Sequence, residues 1–358
     1  MTGIHATDIE KFIIQANVSI RQAIKQLDAA GHGFITIYEK KKIAGIITDG
    51  DTRRAILKGI ELNNPVRDIM NPDFIFLEEN AKNEEIEKIF LTTKAKHIPV
   101  VKDGHLINVI FEEEYFQNKE HPSYRHGKIN LPVVIMAGGK GMRLDPFTRI
   151  LPKPLIPIGE KAVIEIIMDS LAEYGMDHFY ISLNHKAKMV KAYFEDISLP
   201  YKITYIEEDR PLGTAGALQF LDGTMKTPFL VLNCDTVIEE DFTKIYEFHK
   251  DGKFDLTIVG VMQKHVVPYG VCELNAEGHL KNLKEKPSFD FLINTGVYLM
   301  NPDVLKLLPK GKKTDVPELI EKLQSKNRKI GVYPIAESSW IDIGQWEGYK
   351  KTIAKLKV

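Results

Sequence analysis

The apolar residues of the amino-terminal third follow a pattern that occurs twice. The segment FITIYEKKKIAGIIT (34–48) aligns with HIPVVKDGHLINVIF (97–111) at a constant offset of 63 residues. Upstream of each segment, SIRQAIKQLDAAG and KNEEIEKIFLTTK place apolar residues at helical spacing. Ser19 is a candidate N-cap of the first helix, and Gly31 is a candidate stop. The pattern predicts two copies of a unit in which a helix is followed by two strands and another short helix.

From residue 131 onward the pattern changes to strands that alternate with helices. The run LPVVIMA (131–137) is continuously apolar, as expected of a central parallel strand covered on both faces. AVIEIIMDSLAEYG (162–175) has helical spacing, whereas FYISL, ITYIEE and FLVLNCD (229–235) are typical of further strands. This alternation predicts an open α/β sheet whose ligands bind outside the carboxyl ends of the strands.

The two patterns are separated by a polar stretch, FQNKEHPSYRHGKIN (116–130), which has neither helical nor strand periodicity. We therefore expect a tandem repeat domain at 1–120, a linker at 121–130 and a larger α/β domain at 131–358. His121 and His126 in the linker are expected to be solvated rather than bound to a metal.

Composition and charge exclude several classes of protein. Lys+Arg 48 against Asp+Glu 49 leaves a net charge of -1, so no global field attracts nucleic acid or an anionic membrane. No apolar run approaches the ~18 residues of a membrane span, and the amino terminus lacks the apolar core of a signal peptide. The two cysteines, Cys234 and Cys272, support neither a disulfide framework nor a zinc site. We expect a cytoplasmic protein.

The strand LPVVIMA is followed by a glycine-rich and basic stretch, GGKGMRLDPFTRILPKPLIPIG (138–159). Glycines permit positive φ and let backbone N–H groups approach a ligand closely, which makes an anion-binding concavity. Two common phosphate motifs do not fit. Gly141 follows Lys140, which excludes G-x-x-x-x-G-K-[ST], and Leu144 occupies the last position of G-x-G-x-x-G.

The remaining string, G-G-x-G-x-R-L-x-P-x-T followed by P-K-P-L-x-P-x-G, resembles the signature of the sugar-1-phosphate nucleotidylyltransferases over some twenty residues. The resemblance implies a Rossmann-like mixed sheet for the larger domain. It also implies that Arg143 and Lys153 act in catalysis by contacting the triphosphate of the nucleotide. The implied nucleotide-binding loop contains Ala137, Gly138, Gly139 and Gly141.

Two aspartates match the metal site of the same family. Asp235 ends the run LNCD, and Asp342 lies in SSWIDIG. The resemblance implies that this pair holds Mg²⁺ as cofactor, and magnesium prefers hard oxygen ligands from one or two carboxylates together with phosphate oxygens. The adjacent Cys234 is expected to be a packed strand residue rather than a nucleophile.

Three further segments, YGVCEL, KEKP and INTGVY, resemble the sugar-phosphate pocket of the family in their order along the chain. The resemblance implies that Lys286 holds the phosphate of the sugar and counts among the catalytic cations. The residues implied to bind the sugar are Gly270, Glu285, Asn294 and Thr295.

The segment EEDRPLGTAGAL (207–218) matches the L-G-T-A-G loop of the family, which implies that Gly213 and Thr214 bind the nucleobase. Glu208 stands five residues before Gly213, where uridylyl and thymidylyl members tend to carry Gln. An ionised carboxylate only accepts hydrogen bonds. Guanine offers two adjacent donors, whereas uracil and thymine offer a single donor between two carbonyls. The carboxylate therefore favours GTP, with UTP, dTTP and CTP as alternatives.

The repeated unit resembles a pair of cystathionine-β-synthase (CBS) modules over roughly residues 8 to 120. In that family an Asp or Thr after the second strand often holds an adenine nucleotide, and GIITDGD supplies Thr48 and Asp51 at that spacing. The second copy departs from the pattern, with Phe111 and Glu114 at the corresponding positions. We expect a regulatory or assembly module, with an adenine nucleotide as ligand or with none, and a homodimer or higher homo-oligomer.

Together these resemblances imply an enzyme that joins a sugar 1-phosphate to GTP and releases pyrophosphate. A CBS pair ahead of such a transferase resembles the guanylyltransferases of nonulosonic (legionaminic-type) acid pathways, which act on glucosamine 1-phosphate. This implies a precursor of surface glycans. Mannose 1-phosphate and a heptose 1-phosphate remain open as substrates. A non-catalytic sensor of nucleotide sugars is the alternative from another class.

Overall fold

The computed structural model describes residues 6–93, 95–116, 128–139, 141–344, 346 and 348–350. The chain forms two compact units, Met1–Arg125 and His126–Val358. Most of the expected linker, with His121 and His126, lies outside the described residues, and so does Lys140.

The amino-terminal unit contains two copies of one supersecondary motif. Its elements are β1 (Ile13–Gln15), α1 (Ile20–Ala30), β2 (Phe34–Glu39), β3 (Lys42–Thr48), α2 (Asp49–Leu57), β4 (Leu77–Glu78), α3 (Asn83–Thr92), β5 (His97–Lys102), β6 (His105–Phe111) and α4 (Glu112–Phe116). They form two three-stranded sheets, β1-β2-β3 and β4-β5-β6. Four elements of the second copy begin 63 residues after their counterparts in the first: α3 after α1, β5 after β2, β6 after β3 and α4 after α2. This constant offset confirms the repeat.

The correspondence between the copies extends to backbone irregularities. The β2–β3 ladder has a bulge at Ile37/Tyr38, and the β5–β6 ladder has one at Val100/Val101, 63 residues later. α1 begins and ends as predicted. The Ser19 hydroxyl accepts from the backbone N–H of Gln22 in a capping box, and Gly31 closes the helix in the left-handed region at φ 75°.

The carboxy-terminal unit is built around a seven-stranded sheet. The strands of the whole unit, seven of which form this sheet, are β7 (Val133–Met136), β8 (Pro157–Ile158), β9 (Lys161–Ala162), β10 (His178–Leu183), β11 (Lys202–Glu207), β12 (Phe229–Asn233), β13 (Thr236–Ile238), β14 (Leu256–Val266), β15 (Val271–Leu274), β16 (Leu280–Lys284), β17 (Ser288–Met300), β18 (Ile330–Ile335) and β19 (Trp340–Asp342). Its helices are α5 (Phe147–Ile150), α6 (Val163–Ala172), α7 (Ala187–Glu195), α8 (Gly213–Gly216), α9 (Phe242–Asp251) and α10 (Val316–Ser325).

The large sheet has the order β11-β10-β7-β12-β17-β14-β18. The first four strands are parallel, whereas β17 is antiparallel to both β12 and β14. β7 is covered on both faces, because Val133 and Ile135 pack in one core cluster and Val134 in another, all without solvent exposure. The predicted buried central strand and Rossmann-like mixed sheet are confirmed.

The order of the strands positions the glycine-rich loop. β7 pairs with β10 on one side and with β12 on the other, so the chain changes direction across the sheet at β7. Ligands of open α/β sheets bind at such a switch point, beyond the carboxyl ends of the strands. There the loop that follows Met136 and the turn that follows Asn233 leave the sheet as neighbours, and the Cys234 N–H donates to the Met136 carbonyl at 3.3 Å.

Among the described residues, no helix is long and apolar enough to cross a membrane.

Candidate active site

The glycine-rich loop starts deep in the sheet and is closely packed at two of its glycines. The Ala137 N–H donates to the Ser182 carbonyl at 3.0 Å, which ties the loop to β10. A Cβ on Gly138 would lie 3.0 Å from Glu208 Oε1. Gly141 has φ 67°, and a Cβ there would lie 3.0 Å from Lys153 Cβ. Gly139 faces open space. The backbone of the loop therefore passes directly over the residues that we assign to the nucleotide.

Lys153 lies in a single 3₁₀ turn, Lys153–Leu155, that follows Pro152. Proline fixes φ, so the turn presents the lysine from a restricted backbone. The Lys153 ammonium forms a salt bridge with Asp235 Oδ2. The two side chains are 13% and 7% exposed, so this ion pair is largely shielded from water.

Asp342 is brought to the same place by a short antiparallel ladder. β13 pairs with β19, which sets Thr236 opposite Asp342, and the Ile343 N–H donates to the Asp235 carbonyl at 2.9 Å. A Cβ on Gly344 would lie 2.8 Å from Asp342 Oδ1 and 3.0 Å from Lys153 Nζ, and closer still to Asp235 Oδ2. One point in space is thus surrounded by two carboxylates and an ammonium group.

This donor set fits Mg²⁺. In the part of the chain that the structure describes, no group of three or more His, Cys, Asp or Glu side chains is arranged to hold a metal ion. Two carboxylates are sufficient where substrate phosphates and water supply the other ligands, which is the usual magnesium arrangement at phosphate sites. The ammonium of Lys153 against Asp235 shows that the carboxylates already favour a positive charge here.

Glu208 is buried and its carboxylate is engaged by the protein. Oε1 accepts from the Ser182 hydroxyl at 2.5 Å, and Oε2 accepts from the Leu212 N–H at 2.9 Å. The Glu208 carbonyl accepts from Asn184 Nδ2 at 2.6 Å. The side chain therefore joins β10 to the turn before α8 beneath Gly138. Each carboxylate oxygen retains a further lone pair for a ligand.

Gly213 and Thr214 are anchored to the start of α10. A Cβ on Gly213 (φ 85°) would lie 2.6 Å from Asp315 Oδ1, so no larger residue fits. The Thr214 N–H donates to Asp315 Oδ1 at 2.8 Å, and this hydrogen bond is the main cause of the lowered pKa of Asp315. The Thr214 hydroxyl accepts from the Val316 N–H at 3.0 Å. The loop is therefore rigid, with its Thr214 hydroxyl used in packing.

Asn294 and Thr295 lie at an irregularity of β17, where the pairing with β14 shifts between Val259 and Gly260. Thr295 is only 4% exposed, and its hydroxyl donates to the Val259 carbonyl at 2.8 Å. Thr236, opposite Asp342 in the β13–β19 ladder, donates its hydroxyl to the Thr295 carbonyl at 3.4 Å. Asn294 Nδ2 donates to the Tyr298 hydroxyl at 2.8 Å. Thr295 is thus linked to the residue that follows Asp235, whereas the side chain of Asn294 is bonded within β17.

The other residues expected to bind the sugar lie on a separate hairpin. β15 and β16 form a two-stranded sheet in which Val271 pairs with Lys284. Gly270 and Glu285 flank that pair, and a Cβ on Gly270 would lie 3.0 Å from Glu285 Oε2. Glu285 and Lys286 are exposed, and Lys286 has a positive φ of 44°. Within the described residues, no hydrogen bond connects this hairpin to the carboxylate pair.

Arg143 is exposed and lies in the 3₁₀ turn Met142–Leu144, between the glycine loop and α5. The adjacent Leu144 is buried and holds the turn in the core. Cys234 is buried as expected, and burial raises the pKa of its thiol to about 12. A neutral, buried thiol is unsuited to act as a nucleophile.

In the amino-terminal unit, Thr48 and Asp51 contact each other. The Thr48 N–H and hydroxyl both donate to Asp51 Oδ2, at 2.8 and 2.7 Å, and Arg54 pairs with Asp51 Oδ1. In the second copy, the Phe111 ring is buried and stacks on His32 with centroids 4.0 Å apart. The side chain of Glu114 lies outside the described part of the structure. The first copy therefore carries a polar group where the second copy carries an aromatic stack.

Sequence reasoning missed the polar residues at the carboxyl end of β10 and the glycine two residues after Asp342. Ser182, near the end of β10, and Asn184, just after it, bind Glu208, and Gly344 makes room for the carboxylate pair. A signal existed for the first two, because polar residues at the carboxyl end of a buried parallel strand occupy the ligand-binding edge. Gly344 had no local signal, since its role depends on residues that are distant in sequence.

Two family models match parts of the chain. A family model described as nucleotidyl transferase matches residues 132–357, and one described as CBS domain matches residues 66–115. A UTP–glucose-1-phosphate uridylyltransferase of Synechocystis is 30% identical over 248 residues, which is 62% of each chain. A mannose-1-phosphate guanyltransferase of Yarrowia lipolytica is 33% identical over 225 residues, or 59% of this chain and 60% of the relative. The chain thus spans about three fifths of the length of these relatives.

Among solved structures, HddC from Yersinia pseudotuberculosis is 29% identical and superimposes with a TM-score of 0.51. The match covers 63% of this chain and 99% of HddC. HddC complexed with GMP-PN gives a TM-score of 0.50 at 28% identity.

Proposed function

The chain belongs to the nucleotidyl transferase family, and we propose that it joins a sugar 1-phosphate to a nucleoside triphosphate. The observation that carries this proposal is the convergence of Lys153, Asp235 and Asp342 beside the glycine loop, at the switch point of the sheet. This arrangement of fixed charges suits a reaction in which two polyanions must meet.

In the proposed reaction, a phosphate oxygen of the sugar 1-phosphate attacks the α-phosphorus of the triphosphate in line. A new P–O bond forms, the bond between the α-phosphorus and the bridging oxygen of the β-phosphate breaks, and pyrophosphate leaves with the electron pair. A phosphate monoester has a second pKa of ~6, so the nucleophile is already anionic at neutral pH. No strong general base is required, and the difficulty that the protein must overcome is electrostatic repulsion.

The chain's own residues counteract this repulsion by their positions and charges. Lys153 and Arg143 bind the triphosphate, and Lys286 binds the sugar phosphate. Asp235 and Asp342 would hold Mg²⁺, which when bound neutralises charge on phosphate oxygens. The protein thus supplies positioning and electrostatic stabilisation rather than covalent chemistry.

For the nucleotide we propose GTP. Support comes from the mannose-1-phosphate guanyltransferases among the relatives and from HddC, which was crystallised with GMP-PN. The buried Glu208 carboxylate adds an acceptor beneath Gly138, although its contacts to Ser182 and Leu212 give it a structural role as well. The uridylyltransferase relative keeps UTP as the alternative, with dTTP and CTP behind it.

For the sugar we propose glucosamine 1-phosphate, and a product that serves surface-glycan synthesis. The support is the combination of a CBS match and a nucleotidyl transferase match in one chain. Mannose 1-phosphate and a heptose 1-phosphate are the alternatives.

A matrix of pyrophosphate-release assays tests these proposals. Each of GTP, UTP, dTTP and CTP is combined with glucosamine, mannose, glucose and heptose 1-phosphates, with Mg²⁺ or with EDTA. We expect turnover with GTP and glucosamine 1-phosphate that requires Mg²⁺. Turnover with another pair would move the substrate assignment within the family. No turnover with any pair, by protein that still binds a triphosphate, would favour the non-catalytic sensor.

For the amino-terminal unit we propose regulation through an adenine nucleotide bound at Thr48 and Asp51, in a homodimeric protein. The polar groups of these residues lie at the amino end of α2, where backbone N–H groups favour anions. A rise of the melting temperature with AMP or ATP, lost in Thr48→Val, is expected. If no adenine nucleotide changes the melting temperature, the unit would remain an assembly module. Light scattering would test whether the protein is a dimer.

A further inference from the structure

We propose that Lys186 is a positioning residue for the proposed reaction, because it holds the turn that connects Arg143 to Lys153. The Lys186 ammonium donates to three consecutive carbonyl oxygens, those of Thr148 at 3.0 Å, Arg149 at 2.7 Å and Ile150 at 2.9 Å. An ammonium group has three N–H donors, so all three are used on one short stretch of backbone.

The three carbonyls belong to α5 (Phe147–Ile150), a single turn of helix whose carbonyl groups have few partners of their own. They carry partial negative charge, and a cation at the end of a helix stabilises it. α5 lies between Arg143 and Lys153, both of which we assign to the triphosphate. Lys186 therefore fixes the backbone that separates the two proposed phosphate-binding cations.

The backbone of Lys186 is itself in an unfavourable conformation. It has φ 55° and ψ 33°, the left-handed region, at the residue that precedes α7. For a residue with a Cβ this conformation is unfavourable, because the Cβ comes too close to the following carbonyl oxygen. Such a conformation persists where the surroundings determine it strongly, and the three hydrogen bonds to α5 are the contacts that aim the side chain in this direction.

The segment that carries Lys186 also contacts the other half of the glycine loop. Asn184, two residues earlier, donates to the Glu208 carbonyl, and its Cβ would lie 3.4 Å from a Cβ on Gly138. One short segment after β10 thus supports the start of the loop at Gly138 and its continuation at α5. We expect a shift of α5 to displace Lys153 from the phosphates, and a displacement of about 1 Å can cost ~10²-fold in rate.

The test compares Lys186→Met with the matched control Lys188→Met, which removes the same charge from an exposed position two residues on. In the pyrophosphate-release assay, K186M should lose ~10²-fold in kcat, with little change in KM for the sugar 1-phosphate. K188M should match the wild type. Lys186→Arg keeps the charge but cannot direct three donors at three consecutive carbonyls, so it should fall between the two. K186R also covers the case in which K186M does not fold.

A second measurement follows the turn without relying on activity. Trp346 packs on Phe147 with ring centroids 5.2 Å apart, and its Nε1–H donates to the Asp145 carbonyl at 3.2 Å. In a Trp340→Phe background, Trp346 is the remaining tryptophan of the chain. K186M in this background should red-shift the emission of Trp346, whereas K188M should leave it unchanged.

The inference rests on the proposed function for its kinetic part, and the two measurements separate the possible failures. The role of Lys186 would be overturned if folded K186M had the same kcat and the same Trp346 emission as K188M. If K186M does not fold, folded K186R takes its place in this comparison. A red-shifted emission in K186M, together with a wild type that turns over no pair of substrates, would keep Lys186 as the support of α5 and would overturn the proposed function.

Discussion

Lys153 and Asp235 form a salt bridge although 82 residues separate them in sequence. Lys153 is presented by a proline-bounded turn, and Asp235 lies two residues beyond the end of β12. The pair exists because β7 and β12 are neighbours in the sheet and both chains leave at its carboxyl edge. The fold thereby places a cation and a carboxylate, each nearly buried, at the point where we propose that phosphates bind.

The first prediction concerns the strength of this pair. Lys153→Met leaves the Asp235 carboxylate without its partner, which should lower the free energy of unfolding by about 3 kcal/mol. Because Asp235→Asn removes the charge that needs a partner, the double variant should lose less than the sum of the single losses. Urea unfolding of the wild type, the two single variants and the double variant measures this double-mutant cycle. Lys284→Met breaks an exposed pair with Glu273 and should cost no more than about 1 kcal/mol. Strict additivity of the two substitutions would show that the ion pair contributes nothing.

The second prediction concerns Mg²⁺. Asp342→Asn removes one charged ligand of the proposed metal, so half-maximal turnover should require at least ~10-fold more Mg²⁺. A titration of turnover against Mg²⁺ concentration measures this shift. Asp303→Asn is the matched control, because Asp303 is exposed and pairs with Lys306 at the surface. An unchanged midpoint in D342N would remove Asp342 from the metal site.

The third prediction concerns the glycine loop. Gly141→Ala forces a Cβ into the left-handed region, at roughly 1–2 kcal/mol, and against Thr148 Cγ2 at 2.9 Å and Lys153 Cβ at 3.0 Å. We expect a lower melting temperature together with a loss of turnover, because Lys153 must move. Gly223→Ala has a similar φ of 80° with open space around the Cβ, so it should show the backbone cost alone. Full turnover in G141A would contradict the close packing of the loop on Lys153.

The fourth prediction concerns stability below neutral pH. His249 is buried, its Nδ1 contacts the Thr257 hydroxyl at 2.8 Å and its Nε2 contacts Asn301 Oδ1 at 3.2 Å. Asn301 Nδ2 donates to the Phe254 carbonyl, so Oδ1 accepts and Nε2 of the neutral ring carries the proton. Burial lowers the pKa of His249 from its ordinary 6.5.

Because the folded pKa of His249 is depressed, the unfolded chain takes up its proton first as the pH falls. Stability should therefore be complete above about pH 6.5 and should decrease below it. Unfolding measured between pH 5 and 7.5 tests this slope. His249→Gln should flatten the slope of stability against pH only in part, because burial also lowers the pKa of His178. His279→Gln, at an exposed position, should leave the slope unchanged. A wild-type stability that is constant over this range would contradict the prediction.

Much of the fold was predictable from local pattern. The 63-residue offset fixed the two copies of the amino-terminal motif, because the spacing of apolar residues encodes each helix and strand directly. The run around Val134 identified the central strand by its continuous hydrophobicity. The resemblances to the nucleotidylyltransferases and to CBS modules are confirmed by the family matches.

The sequence indicated which residues form the candidate site, but not their hydrogen-bond partners. Sequence placed Glu208 near the nucleotide, but its bonds to Ser182 and Leu212 arise from the approach of β10 and β11. Likewise Thr295 was expected to face the sugar, whereas the shifted pairing of β17 turns its hydroxyl to the Val259 carbonyl. Contacts of this kind depend on tertiary packing, for which a single sequence carries no local signal. The individual roles of the site residues stay predictions.

The central claim is that fixed cations let two polyanions react, and turnover of Lys153→Met tests it most directly. The measurement is pyrophosphate release at saturating GTP, glucosamine 1-phosphate and Mg²⁺, with circular dichroism to verify that the variant is folded. The account predicts a loss of ~10²–10³ in kcat relative to the wild type. A folded K153M with near-normal kcat would contradict it.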